Sequence, residues 1–246
     1  MTATAPSPLR VVSFGDLEGH IWGTAIDAGE PAIVFTTPDG TGRASGIEAV
    51  RLLVDGRSWR LAGDGFDLLV TPSGEKQPAA DTDGDMLCQV TGTLSVPGAS
   101  RSVHCIGTRS SGDGRGLERL GRLDSVRGLS EWFASDRAVA ALSFRPQRGA
   151  GQDADLVAAT MFEPEGPVAV NDPRLSTTYG NGGRPARANL ELWIGEGDDE
   201  YPRRTAAEAR GDAASVGGDR VKLEVTPLRC HSAGSDGAGV YVLARF

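Results

Sequence analysis

An all-β fold with little helix, built as two packed antiparallel barrels or sheets, is what this sequence predicts, and three observations carry the prediction. Two-residue turn signals recur, with Asp-Gly at 39–40, 55–56, 64–65, 83–84, 113–114 and 236–237 and Asn-Gly at 181–182, pairs that accept the positive φ of tight hairpins. Apolar and polar residues alternate with a period of two, as where Val221, Leu223 and Val225 are interleaved with Lys222, Glu224 and Thr226. The strand-like runs number about seventeen, more than one eight-stranded barrel holds, so two β units or one large double sheet are needed.

Along the chain, strands are expected at residues 9–14, 20–26 and 32–37. The stretch IEAVRLLVDGRSWRLAGDGFDLLVTP, residues 47–72, has three apolar-rich runs separated by two Asp-Gly pairs and reads as a three-stranded meander. Strands at 86–96 and 101–107 follow. The Gly-rich polar GTRSSGDGRG, residues 107–116, is the best internal boundary and divides the chain into 1–112 and 113–246. Leu117, Leu120 and Leu123 fall three apart in GLERLGRLDSV; Gly121 weakens that spacing, so the segment is either a short helix or a connection. Further strands are expected at 126–133, 137–145, 155–163, 174–179, 187–194, 202–210 and 221–227, and GAGVYVLARF supplies the last, after a turn at 236–237.

Composition narrows the function classes. The 246 residues are 39% hydrophobic and 24% charged, enough for a sizeable core in one or two domains. Asp and Glu number 33 against 25 Lys and Arg, a net charge of -8, which opposes binding to a phosphate backbone; no nucleic-acid partner is expected. Cys88, Cys105 and Cys230 are odd in number and far apart, the usage of reduced thiols in a cytoplasmic protein. The opening MTATAPSPLRVV has neither a charged n-region nor an apolar h-region, and no window is apolar enough to span a bilayer, so a soluble, unexported protein with no membrane span is expected.

Most catalytic signatures are missing. No glycine cluster forms G-x-x-x-x-G-K-[ST], and G-x-S-x-G does not occur. In DTDGD, residues 81–85, the glycine comes too early for a calcium loop and no glutamate closes it. His20, His104 and His231 stand singly, and His104-Cys105 and Cys230-His231 are neighbours on strands, whose side chains point to opposite faces. No metal and no cofactor are expected. The informative segment is 174–212. In ANLELWI, Leu190, Leu192 and Ile194 share one face and Glu191 and Trp193 the other; in PRRTAAEARG, Arg204, Ala206 and Glu208 share a face. With Leu190, Leu192 and Ile194 packed outward, Glu191, Trp193, Arg204 and Glu208 would line a pocket with acid/base capacity. The other reading is an Arg–Glu ion pair across neighbouring strands with Trp193 packed between domains.

The order VTGTLSVPG, VHCIGTR, LSEWFASDRAVAALSFRPQ, GQDAD, DPRLSTTYGNGGRPARANLELW, YPRRTAAEARG and GAGVYVLARF resembles the two-domain, lipocalin-like (calycin) proteins related to carotenoid hydratase (hydroxyneurosporene synthase) and the AttH group, over about residues 85–246. The resemblance implies two packed calycin-type barrels, a cavity for a largely apolar ligand, and a superfamily that includes hydratases of isoprenoids and natural-product cyclases. It departs from that pattern at Gly151-Gln152 and at GTRSSGDG, where acid/base groups of the family would stand. Three functions follow. One is a cofactor-independent enzyme that hydrates, isomerises or cyclises an isoprenoid- or polyketide-like molecule. In it Glu191, Tyr179, Glu208 and Asp153 (or Asp155) supply the proton donor or base, and Trp132, Trp193, Arg145 and Arg204 contact the ligand. The others are a non-catalytic carrier or sensor of a lipophilic metabolite, and a structural β protein.

Overall fold

The computed structural model describes residues 9–73, 84–111, 123–147, 155–180, 182–195 and 201–246, and all the regular structure among them is β-strand. The first nine strands are β1 (Arg10–Asp16), β2 (Ile21–Asp27), β3 (Pro31–Thr37), β4 (Gly40–Ser45), β5 (Val50–Asp55), β6 (Ser58–Gly63), β7 (Phe66–Pro72), β8 (Asp85–Val96) and β9 (Ala99–Ser111). They form one sheet in the order β4-β3-β2-β1-β9-β8-β7-β6-β5. The other ten are β10 (Leu123–Ala134), β11 (Arg137–Pro146), β12 (Leu156–Glu163), β13 (Gly166–Ala169), β14 (Asp172–Tyr179), β15 (Pro185–Ile194), β16 (Tyr201–Ala209), β17 (Ala214–Gly217), β18 (Lys222–Ser232) and β19 (Ser235–Arg245). Their order is β13-β12-β11-β10-β19-β18-β16-β15-β14, with β17 alongside β18.

The two sheets repeat one plan. Each runs up and down with every pairing antiparallel, joins its first strand to its last in the middle, and leaves its hydrogen-bonding break between two strands consecutive in sequence, β4/β5 and β13/β14. Rolled up, each sheet is barrel-like, because alternate residues fill its inside. Phe14, Phe35, Trp59, Leu61, Phe66 and Leu68 pack within the first barrel, and Leu129, Leu190, Leu192, Leu228 and Tyr241 within the second. The opposite faces of the central strands pack barrel against barrel. Val11, Trp22 and Val34 of the first meet Trp132, Phe144, Leu223 and Val240 of the second, all buried. Polar contacts fasten this interface at its edge and within it. The Glu30 carboxylate accepts backbone N–H bonds from Asp219 (3.1 Å), Arg220 and Val221 (3.2 Å), and Thr108 donates to Ser130 at 3.0 Å.

Three strands, β4, β13 and β17, were not expected from sequence, being short and Gly-, Pro- or Ser-rich. The expected turn at 236–237 lies inside β19 instead. The β18–β19 hairpin turns at Ala233-Gly234, where both residues have positive φ (48° and 81°) and Ser232 pairs with Ser235. The Leu117/Leu120 segment lies outside the described residues, while Leu123 begins a strand. No helix is long and apolar enough to cross a membrane among the described residues.

Candidate functional site

The faces of β15 and β16 are the reverse of the expected ones. Leu190, Leu192 and Ile194, at most 4% exposed, point into the second barrel, and Glu191 and Trp193 point outward. The barrel has to be filled, and three aliphatic side chains fill it where an ion-pair network would have to be stripped of water. On the outer face Glu191 accepts bonds from Arg204 Nε at 2.9 Å and Trp193 Nε1 at 3.0 Å, and Arg174 lies 3.6 Å away. The Arg204 bond, then the Trp193 bond, hold its carboxyl below the usual range, the state of a satisfied surface ion pair. Glu208 pairs separately with Arg187 at 3.0 Å, both largely exposed. Thus Glu191, Trp193 and Arg204 do come together, but outside the barrel.

The other expected residues are dispersed. Trp132 is buried between the barrels, over Gly15, with no partner for its indole N–H. Asp153 lies outside the described residues. At one mouth of the second barrel, Arg145 Nε (3.0 Å) and Arg127 Nη2 (2.6 Å) clamp the carboxylate of Asp155. Burial, the largest single influence on Asp155, would raise its pKa, but the bonds and charges of Arg145 and Arg127 outweigh it and hold the group ionised. Tyr179 stands at the same mouth, its hydroxyl 3.3 Å from that of Tyr241, which also lies 3.3 Å from the Thr177 hydroxyl.

The chemically distinctive residue is one the expected set omits. On β10, Leu129, Glu131 and Phe133 share the face turned into the second barrel, and Glu131 is fully buried. Its ladder neighbours are Val139 and Gly239. Gly239 is glycine for reasons of space: a Cβ there would lie 2.3 Å from Cys230 Sγ, 2.8 Å from the Ser130 carbonyl oxygen and 3.5 Å from Glu131 Cγ. Neither oxygen of Glu131 has a hydrogen bond of good geometry; its polar neighbours are the buried Thr205 hydroxyl and the Cys230 thiol. Burial pushes the Glu131 carboxyl up to about 7; the nearby Thr205 hydroxyl and Cys230 thiol offset this only in part. Burial and Glu131 together raise the Cys230 thiol well above its ordinary range, which leaves it a poor nucleophile.

A cavity of about 60 Å³ is lined by neighbours of Glu131, with Phe133, Met161 and Leu192 on its apolar side and Arg137, Arg203 and Thr205 on its polar side. Phe133 is two residues from Glu131 on the same face, and Val139, the cross-strand neighbour of Glu131, is also in the wall. Thr205 joins the two, lining the cavity and approaching the carboxyl. This volume takes one end of a molecule, about a few heavy atoms, rather than a whole lipid. A signal for Glu131 was present in the sequence: in LSEWFAS it is the one charge in a run whose alternation places it with Leu129 and Phe133.

No protein-family model matches the sequence, and no curated protein does either. Among solved structures the chain is similar to CghA with Sch210972, at TM-score 0.61 and 11% identity over 99% of this chain and 94% of that one. It is similar to CghA in a further crystal structure, at 0.59 and 12% over 99% and 93%. A structure assigned to AttH from Nitrosomonas europaea gives 0.58 and 11% over 97% and 92%. At these identities the likeness shows the fold, a pair of barrel-like β sheets.

Proposed function

We propose that a protein with this fold, shared with CghA and an AttH structure, binds an apolar isoprenoid- or polyketide-like molecule by one end in the second barrel and moves a proton on it through Glu131, without a cofactor. The observation that carries this reading is a fully buried carboxyl without a well-formed hydrogen bond, whose neighbours Phe133, Val139 and Thr205 line a cavity. Such a group costs stability that the Thr205 hydroxyl and Cys230 thiol offset only in part, and a pKa near neutrality suits it to give or take a proton at physiological pH. The buried Thr205 hydroxyl supports the reading, because it lies beside the Glu131 carboxyl and also lines the cavity, where it can donate to a carbonyl or hydroxyl oxygen of the ligand. So does the structure of one fold neighbour, CghA, with Sch210972.

Acid- or base-catalysed hydration, isomerisation and cyclisation each include a proton transfer to or from carbon or oxygen, so proton exchange tests the proposed role of Glu131. Farnesal, an unsaturated isoprenoid aldehyde, is incubated in heavy water: the Glu131 carboxylate removes a γ proton, the electron pair moves onto the carbonyl oxygen as a dienolate, and deuterium returns to carbon. Mass spectrometry should show enzyme-dependent deuterium uptake that Glu131→Gln abolishes, while equilibrium dialysis shows farnesal binding changed less than about threefold. Uptake unchanged in the variant sinks the assignment of Glu131. Binding without uptake in the unsubstituted protein means a carrier.

A further inference from the structure

Four strand edges border the two seams, and three of them are blunted. The edges of β13 and β14 carry Pro167 and Pro173. The edge strand β4 is Gly-rich and lies against β17, with Arg43 donating to the Ser215 carbonyl and Ser45 to the Gly217 carbonyl, both at 3.3 Å. The fourth, β5, reads Val50-Arg51-Leu52-Leu53-Val54-Asp55, has no proline or glycine, and pairs on one side only, with β6. An unblunted apolar edge offers its backbone to another strand. Leu53 is 55% exposed, and Val54, whose side chain shares the barrel-facing side with Val50 and Leu52, is 49% exposed, so the seam stands open at this end.

The ladder fixes which backbone groups face outward. Asp55 and Ser58 close a two-residue hairpin turn, which makes them a hydrogen-bonded pair; by alternation Leu53 and Arg51 also bond to β6. The N–H and C=O groups of Leu52 and Val54 therefore point out of the free edge. The sequence about Leu53 is self-complementary for antiparallel pairing. With Leu53 opposite itself, Leu52 meets Val54 and Arg51 meets Asp55, twice over by symmetry.

We propose that β5 is a self-association edge, at which a second copy of this chain adds its own β5 antiparallel about a twofold axis through Leu53. The first sheets of the two copies then run on as one. Leu52 and Val54 exchange backbone hydrogen bonds across the axis, Leu53 packs on its symmetry mate, and each Arg51 pairs with the Asp55 opposite. The second copy is the occupant that the charge order selects, since an unrelated strand would have to supply an acid and a base at the same spacing. Pairing of one short strand buries little area, so the dimer is weak and concentration-dependent.

Sedimentation velocity from about 10 µM to about 1 mM reads the equilibrium. The unsubstituted protein should shift from monomer to dimer across this range. Arg51→Asp sets two acids opposite each other in both halves and should abolish the shift, and adding Asp55→Arg should restore it. Leu53→Cys should form a disulfide-linked dimer on mild oxidation, because a non-hydrogen-bonded antiparallel pair brings Cα atoms to about 4.5 Å. Leu69→Cys, at a position 44% exposed on an inner strand, should not. The native cysteines are all buried and will not confuse the result. A monomer at every concentration, or a dimer indifferent to Arg51→Asp and unlinked through position 53, overturns the proposal. Both outcomes are independent of the Glu131 assignment.

Discussion

Glu131 makes the stability of the folded protein depend on pH in an unusual direction. Its carboxyl ionises near 4.5 in the unfolded chain and at about 7 when folded. The folded state therefore holds the extra proton between those values, and stability falls as pH rises from about 4.5 through about 7, by roughly 3 kcal/mol from this group alone. Below 4.5 both states are protonated and the group contributes nothing. Urea unfolding of Glu131→Gln should lack this component, its free energy crossing that of the unsubstituted protein and exceeding it above pH 7; parallel curves for the two proteins would show that the carboxyl is not held neutral by burial. Gly239 is the second sensitive residue. Gly239→Ala drives a methyl into Cys230 Sγ and the Ser130 carbonyl, and should cost about 1–3 kcal/mol in urea unfolding while disordering the floor on which Glu131 rests.

Strand β15 shows how far alternation can be read and where it stops. The period of two separates Leu190, Leu192 and Ile194 from Glu191 and Trp193 correctly, but two faces are compatible with one pattern, and the sequence alone does not say which is inside. The outward assignment of the leucines fails because the barrel interior has to be filled before any pocket can form. On β10 the difficulty is different. The strand is buried on both faces from Gly128 to Trp132, one side against the other barrel and one inside its own, so the alternation that groups Glu131 with Leu129 and Phe133 does not by itself mark that carboxylate as buried. The hairpins and long strands were legible because turn chemistry and period are local; the short strands β4, β13 and β17 were not, since they exist through the neighbours they pair with. At this scale Glu191→Gln should leave the melting temperature within about 2 °C of the unsubstituted protein, as for other exposed ion pairs. Leu192→Ala should cost about 2–5 kcal/mol of unfolding free energy and lower the melting temperature by far more than Glu191→Gln does, because its side chain is fully buried in the barrel. The opposite ranking would restore the pocket-facing assignment of Glu191.

The two barrels are held as one body by an apolar interface whose edge is fastened at Glu30. Glu30→Ala removes the acceptor of three backbone N–H groups in the loop before β18 and should lower stability by about 1 kcal/mol. Hydrogen exchange at Asp219, Arg220 and Val221 should speed up while exchange within β1 and β10 does not; unchanged exchange at the loop would mean that water replaces the carboxylate without loss. The central pairings of the two sheets have a bearing on time as well as on stability. Val12 lies beside Arg109 and Val126 beside Ala244, so in each barrel the strand made first waits for the one made last. The hairpins between can form within microseconds, but each closure has to gather the ends of a long loop before any contact repays the lost entropy. Refolding should accordingly take milliseconds to seconds, with hairpins assembled early and both barrels open until the final strand docks. During that interval Val240 and Leu228, which finish fully buried, are in water. A chaperone, or a low protein concentration, matters most in that window.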